Sequence, residues 1–240
     1  MPSDSLTLFA TDLFVPRYRP MRSGDWELRC GANVLCPGYW GDVSLVLDIA
    51  ALTRGHETWM SMTPMEIESQ EIGCRLARGY TVVMGMGMGW AAANAALMPE
   101  VSRVTVVEYD PDVLAFHAEC DVFAQLPPEA AAKVEIMQGD ALHWLPDAPV
   151  DTLLADIWLP LNGDDRVDEV RRMQANTGAD HVYFWGQEMV IARRARALGG
   201  ALDADTVAAI VRELELPLLG PSLPDYPNRI ARAAAAHLRD

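Results

Sequence analysis

Three acidic side chains stand at or near the ends of short apolar runs. Glu108 closes Val104-Thr105-Val106-Val107, Asp140 follows Val134 to Met137, and Asp156 lies near the end of Asp151 to Ile157. A further run, Val82-Val83, leads into Met84-Gly85-Met86-Gly87-Met88-Gly89. Glycines at spacing two let a chain turn sharply and let a ligand reach the backbone without a Cβ in the way. A helix starting there offers free N–H groups and the positive end of its dipole. Glu108 lies about 20 residues past Gly89, the spacing at which a strand-tip carboxylate accepts from both hydroxyls of a ribose. Asp140, in Gly139-Asp140-Ala141, is suited to accept from the exocyclic amine of an adenine, with Leu142 and Trp144 packing on the ring. The candidate cofactor-binding residues are therefore Gly85, Met86, Gly87, Gly89, Glu108, Tyr109, Asp140, Ala141 and Asp156. Blander readings stand beside these: a glycine turn that binds nothing, a helix-start charge at Glu108, a turn-capping Asp140.

The candidate catalytic residues are Asp156, as general base or acceptor-orienting group, and Trp158, as a wall of the acceptor pocket. Asp156 ends a strand and Trp158 follows it in the loop, at the carboxyl rim where ligands bind in open α/β sheets. Gln187 and Glu188 either face the same crevice or open the next helix, and Tyr39 and Trp40 are candidates for a lid. His143 has no partner at metal-ligand spacing, so no metal is expected. A Gly-x-Ser-x-Gly elbow is absent, which gives a serine triad no support.

The elements needed to hold these residues are legible from residue 63 onward. Thr63 as N-cap, Pro64 at the first helical position and Glu66 three residues after Thr63 form a capping box, and Gly79 is read as the stop. Strands are predicted at Tyr80 to Met84, Arg103 to Val107, Val134 to Met137, Asp151 to Ile157 and His181 to Trp185. Helices are predicted at Gly89 to Leu97, after Asp110-Pro111, at Asp164 to Asn176 and at Gln187 to Leu198. This alternation predicts an α/β fold: a Rossmann-like, doubly wound, mostly parallel sheet with helices on both faces. Before it, Trp26 to Val34 and Val43 to Ile49 read as strands of a small N-terminal β element. After it come only helices, Asp203 to Glu215 and Tyr226 to Arg239, with no further strand pair. The expected organisation is 1–61 as β element or lid, 62–200 as the Rossmann-like domain, and 201–240 as helices packed on it.

Composition narrows the function. Half of the residues are hydrophobic and 22% are charged, enough for a packed core. Against 19 Lys and Arg stand 34 Asp and Glu, a net charge of −15, which disfavours nucleic acid as a partner. The basic run Arg193-Arg194-Ala195-Arg196 reads as a solvated helix end. No basic n-region followed by an apolar h-region marks Met1 to Asp4, and no stretch is long enough to span a membrane. Cys30, Cys36, Cys74 and Cys120 fit no zinc spacing and read as ordinary thiols. A cytoplasmic location follows as the expectation. A homodimer through the sheet edge is a candidate assembly.

Taken together, the glycine loop, Glu108 and Gly139-Asp140-Ala141 resemble the class I S-adenosylmethionine-dependent methyltransferase family over roughly residues 62–190. Val83, Val107-Glu108-Tyr109-Asp110, Gly139 to Leu145 and Asp151 to Asp156 are similar to its spermidine synthase-like branch. The resemblance implies S-adenosylmethionine, or its decarboxylated form, as cofactor and a small molecule as acceptor. Two positions depart from the branch. Where an Asp-Ser-Ser-Asp-Pro-like stretch is usual, the chain reads Asp156-Ile157-Trp158-Leu159-Pro160, so the second acid is lost at Leu159. The acid usual in the glycine loop is replaced by Met88.

The leading expectation is a methyltransferase acting on a small molecule. Its rival is an aminopropyltransferase-like enzyme, for which an acidic pocket at Asp156 would speak. A carboxylate-binding Arg or Gln near the glycine loop would speak for methyl transfer. Gly87-x-Gly89-x-x-Ala92 also satisfies a dinucleotide fingerprint, which keeps a nicotinamide-dependent oxidoreductase open. A non-catalytic binding subunit remains a fourth reading.

Overall fold

The computed structural model describes residues 7–163 and 166–239. Met1 to Asp4 and the predicted helix start at Asp164 lie outside the described residues. The elements run β1 (Met21–Ser23), β2 (Trp26–Cys30), β3 (Val34–Cys36), β4 (Ser44–Val46), β5 (Ala50–Arg54), β6 (Glu57–Ser61), α1 (Pro64–Leu76), β7 (Gly79–Met84), α2 (Trp90–Leu97), β8 (Val101–Glu108), α3 (Pro111–Cys120), α4 (Pro128–Ala131), β9 (Val134–Gln138), β10 (Thr152–Ala155), α5 (Arg166–Thr177), β11 (His181–Phe184), α6 (Gln187–Ala197), α7 (Ala204–Leu214) and α8 (Tyr226–His237).

The predicted α/β architecture is present. A parallel sheet runs in the order β11-β10-β7-β8-β9, flanked by helices that include α1 against β11, α2 and α3 against β8, and α5 against β10. Val83 sits between Val106 and Leu154 in register. The central strands are continuous apolar runs because both of their faces are covered, and β10 is buried throughout. β9, the edge strand, is mostly exposed. The strand order reverses between β7 and β10, which opens a crevice at their carboxyl ends.

The N-terminal β element is larger than expected. The run Trp26 to Val34 breaks at Gly31-Ala32-Asn33 into β2, which pairs with β5 and ends its ladder as Gly31 N donates to Ile49 O, and β3, which pairs with β4 instead. The Val43 to Ile49 strand shortens to β4, which pairs with β3. The β5–β6 hairpin went unpredicted. Its turn residue Gly55 has φ +59, and a bulge between Leu52 and Thr53 blurs its alternation. It completes an antiparallel sheet in the order β1-β2-β5-β6. Trp26 Nε1 fastens this sheet to the parallel domain by donating to Asp110 Oδ2 at 2.9 Å.

Half of the predicted capping box forms. Thr63 Oγ1 accepts from Glu66 N at 3.4 Å, but the Glu66 carboxylate turns inward, where it is 5% exposed. Gly79 does not stop α1, which ends at Ala77. With φ +58, Gly79 opens β7 instead.

Among the described residues, no strand pair follows β11. Val182 forms a single parallel bridge to Leu218, with Val182 N donating to Pro217 O and Leu219 N to Val182 O. The proline-rich segment thus covers part of the edge expected as a dimer contact. α7 and α8 pack on α6.

The lid expected at Tyr39 does not form, and of the two readings of Gln187 and Glu188 the helix start is the one present. Tyr39 is fully buried rather than in a lid. Its N–H and those of Trp40 and Gly41 all donate to Glu68 Oε2, at 2.8, 3.0 and 2.9 Å. Gln187 and Glu188 open α6 and are buried away from the crevice. Glu188 accepts from the hydroxyls of Tyr39, Tyr183 and Tyr226 at 3.2, 3.1 and 3.0 Å. This cluster joins the N-terminal loop, the sheet and α8.

Candidate functional site

β7 ends in the glycine loop, and each of its glycines has positive φ. At Gly85 (φ +91) a Cβ would lie 2.1 Å from the Asp156 carbonyl oxygen, so only glycine lets β7 and β10 end side by side. At Gly87 a Cβ would lie 2.7 Å from Met60 Sδ. Gly89 caps α2. The loop is held from four sides. Met86 N donates to Glu108 Oε2 at 2.8 Å, and Met88 N to Met60 Sδ at 3.1 Å. Tyr18 OH donates to Met88 O at 2.9 Å. His117 Nε2 lies 2.9 Å from Gly87 O. The Met88 side chain is fully buried in the core rather than turned to the crevice.

A cavity of about 390 Å³ opens at the carboxyl rim, within the range of small-molecule sites. Of the predicted residues, Gly85, Gly87, Glu108, Tyr109, Asp140, Ala141, Asp156 and Trp158 line it, together with Leu142. Met86 and Gly89 do not line it, Met86 facing a smaller adjoining pocket, and Trp144 packs beneath Gly139 instead. Sequence reasoning missed the opposite wall, Trp26, Leu52, Arg54, Trp59 and Met60 of the N-terminal sheet. Trp26 and Trp59 meet edge to face, with ring centroids 5.4 Å apart.

Glu108 sits at the tip of β8, with Oε1 accepting from Asp110 N at 2.8 Å. Burial pushes its carboxyl up, and the N–H groups of Asp110 and Met86 hold against that. Each oxygen keeps lone-pair capacity for a hydroxyl. Asp140 Oδ2 lies 2.7 Å from His143 Nδ1, which holds its pKa low, and Oδ1 accepts from Leu142 N at 2.9 Å. It both caps the turn and faces the cavity.

Asp156 has company that the sequence did not reveal. Gln70 Nε2 donates to Asp156 Oδ2 at 3.1 Å and to Glu66 Oε1 at 2.7 Å. Glu66 and Gln70 are one helical turn apart on α1, an i, i+4 pair that the pattern contains but does not aim. Both carboxyls are pushed above the usual range, Glu66 by burial and by the Asp156 charge, Asp156 by burial against the pull of Arg166. Arg166 donates to Trp185 O at 2.6 Å, and its guanidinium lies 5.3 Å from the Trp158 ring. Trp158 Nε1 donates to Glu169.

No family model matches the sequence, and no curated protein matches it. Among solved structures, the DhpI complex with SAH is 21% identical over 42% of this chain and 44% of its own, with a TM-score of 0.31. The glycopeptide N-methyltransferase MtfA complexed with (S)-adenosyl-L-homocysteine is 19% identical over 45% and 43%, TM-score 0.35. The mitomycin 7-O-methyltransferase MmcR is 24% identical over 47% and 34%, TM-score 0.34. The chain spans less than half the length of each of these three. The chemistry of the site is carried by this chain's own residues.

Proposed function

We propose that this chain is an S-adenosylmethionine-dependent methyltransferase acting on a small molecule. One observation carries the reading: Glu108, Asp140 and Asp156, at or just beyond the tips of β8, β9 and β10, line one cavity with the glycine loop of β7. The fit is physical. The loop presents backbone where a Cβ at Gly85 or Gly87 would collide, and a buried carboxylate stands at ribose spacing from it.

In this reading Glu108 takes the ribose hydroxyls, and Asp140, Ala141 and Leu142 take the adenine. Gly85, Met86 and Gly87 take the chain that carries the sulfur. The cofactor supplies a methyl group on a good leaving group. The protein's task is alignment and exclusion of water. Trp59, Met60 and Trp158 wall the acceptor side, and Asp156 orients the nucleophile or takes its proton. The net charge of −15 and the enclosed wall favour a small acceptor over nucleic acid.

A second reading, aminopropyl transfer from decarboxylated S-adenosylmethionine, is favoured by one feature. The surroundings of Asp156 are acidic, with Glu66 filling the role vacated at Leu159. Gln70 stands at the place expected for a carboxylate-binding amide, but both of its N–H donors are taken by Glu66 and Asp156.

Calorimetric titration with S-adenosylhomocysteine tests the cofactor. Binding that is weakened about a hundredfold in Glu108→Ala supports the reading. No binding of S-adenosylhomocysteine or methylthioadenosine would overturn it and reopen the nicotinamide and non-catalytic alternatives.

A further inference from the structure

Three of the chain's seven tryptophans line the main cavity. Trp26 and Trp59 stand on β2 and β6 of the N-terminal sheet, and Trp158 follows β10 in the parallel domain. Leu52, Met60 and Ile157 add to the apolar lining. Two of the three indoles are tied by their N–H groups. Trp26 Nε1 donates to Asp110 Oδ2 at 2.9 Å, and Trp158 Nε1 donates to Glu169. Trp59 Nε1 is buried and has no hydrogen-bond partner among the described residues. A buried N–H without an acceptor is costly, so a guest that brings one is favoured.

The charges around the cavity are largely engaged within the chain. Arg54 is the one Lys or Arg on its lining among the described residues. Its guanidinium lies 5.2 Å from the centre of the Trp26 ring and 3.8 Å from Asp110 Oδ2. Arg166, 2% exposed and outside the lining, stands 5.3 Å from the centre of the Trp158 ring. Two of the three rings thus already carry a cation of this chain. The carboxylates of Glu108, Asp110, Asp140 and Asp156 each hold a donor of this chain as well.

We propose that the acceptor is a flat, uncharged aromatic compound, stacked against Trp59 and Trp158, with an oxygen on its ring that accepts from Trp59 Nε1. An anion would meet four carboxylates and one guanidinium that Asp110 already shares. A cation would compete with Arg54 and Arg166 for the ring faces. An aromatic guest gains from stacked and edge-to-face contacts. A hydroxyl on its ring supplies both the acceptor that Trp59 lacks and the nucleophile that methyl transfer requires.

This inference rests on the adenosyl reading of the cavity, and the test keeps the two apart. S-adenosylhomocysteine is titrated first, by calorimetry. Four probes of similar size are then titrated into its saturated complex: 2-naphthol, decahydro-2-naphthol, 2-methylnaphthalene and 2-naphthylmethylamine. The proteins are the wild type, Trp59→Phe, Trp59→Leu and Trp158→Leu, each checked by thermal unfolding.

In the wild type, 2-naphthol binds about tenfold or more tighter than decahydro-2-naphthol and than the amine, and about threefold or more tighter than 2-methylnaphthalene. Trp59→Leu and Trp158→Leu each narrow the gap to the saturated probe to about threefold or less. Trp59→Phe keeps a ring and removes the N–H. It preserves that gap and abolishes the advantage of 2-naphthol over 2-methylnaphthalene. Where a leucine variant fails to fold, the wild-type series and Trp59→Phe decide. With S-adenosylhomocysteine bound, no binding of 2-naphthol, equal binding of its saturated counterpart or tighter binding of the amine overturns the aromatic subsite and leaves the adenosyl reading standing. Failure of S-adenosylhomocysteine to bind overturns that reading and this inference with it.

Discussion

The Glu108 carboxylate, at the tip of β8, accepts the backbone N–H of Met86 at 2.8 Å and so ties the second strand of the parallel domain to the glycine loop of the first. The residue proposed to read a ribose thus also sets the shape of the glycine loop. Glu108→Gln keeps an acceptor oxygen for one of its two backbone donors, whereas Glu108→Ala abandons both. We expect S-adenosylhomocysteine affinity to fall in the order wild type, Gln, Ala, with the Ala variant also losing about 1–3 kcal/mol of stability. An Ala variant with unchanged urea midpoint and affinity would show that the tie is idle.

Gly85→Ala is expected to cost about 2 kcal/mol or more. Its φ of +91 disfavours any side chain, and the added methyl meets the Asp156 carbonyl rather than a flexible group. The same substitution at Gly55, where nothing lies within 4 Å, carries only the backbone strain of φ +59. Equal urea midpoints for the two variants would contradict the close approach of β7 and β10.

Glu188 is fully buried among Tyr39, Tyr183 and Tyr226, and burial pushes its carboxyl up to about 7. Between its ordinary value and 7 the folded protein keeps a proton that the unfolded chain has lost. Its contribution is complete at low pH and disappears as pH rises through 7. Glu188→Gln should remove that slope, which amounts to about 3 kcal/mol at most. Denaturation midpoints from pH 4 to pH 8 read it as a difference from wild type, and parallel curves would count against a buried, protonated Glu188.

His117 has the opposite sign. Burial lowers its ring to about 4, and Nε2 faces the Gly87 carbonyl. Below pH 6.5 the unfolded chain takes up a proton that the folded one refuses. Stability is therefore lost as pH falls from 6.5 toward 4. His117→Gln, which keeps a donor near Gly87, should flatten this acid-side loss. If the variant and wild type lose stability in parallel across that window, the ring is not held neutral beneath the loop.

Where the chain's own local chemistry decides, the sequence was sufficient. Apolar runs buried on both faces gave β7, β8, β10 and β11, and Asp110-Pro111 and Asp203 marked helix starts, where each Asp proves to be the N-cap. Positive φ at Gly85, Gly87 and Gly89 was readable because three glycines at spacing two have few other reasons to occur. Strand–helix alternation then placed Glu108, Asp140 and Asp156 at one rim, since side chains at parallel strand ends must meet there.

What the sequence left open depends on direction and on distant partners. Glu66 has the spacing of a capping residue, and only the packing of α1 against the sheet turns it toward Asp156. Tyr39, Gln187 and Glu188 have polar ends suited to a crevice, yet Tyr39 and Glu188 pair in the core across 149 residues, and Gln187 donates to Leu219 O and the Tyr226 hydroxyl. The short strands of the N-terminal sheet are bent by turns and a bulge, so their period was too brief to read. Only the fold brings Trp26, Trp59 and Met60 over the glycine loop, because that wall is built from contacts that no local pattern encodes.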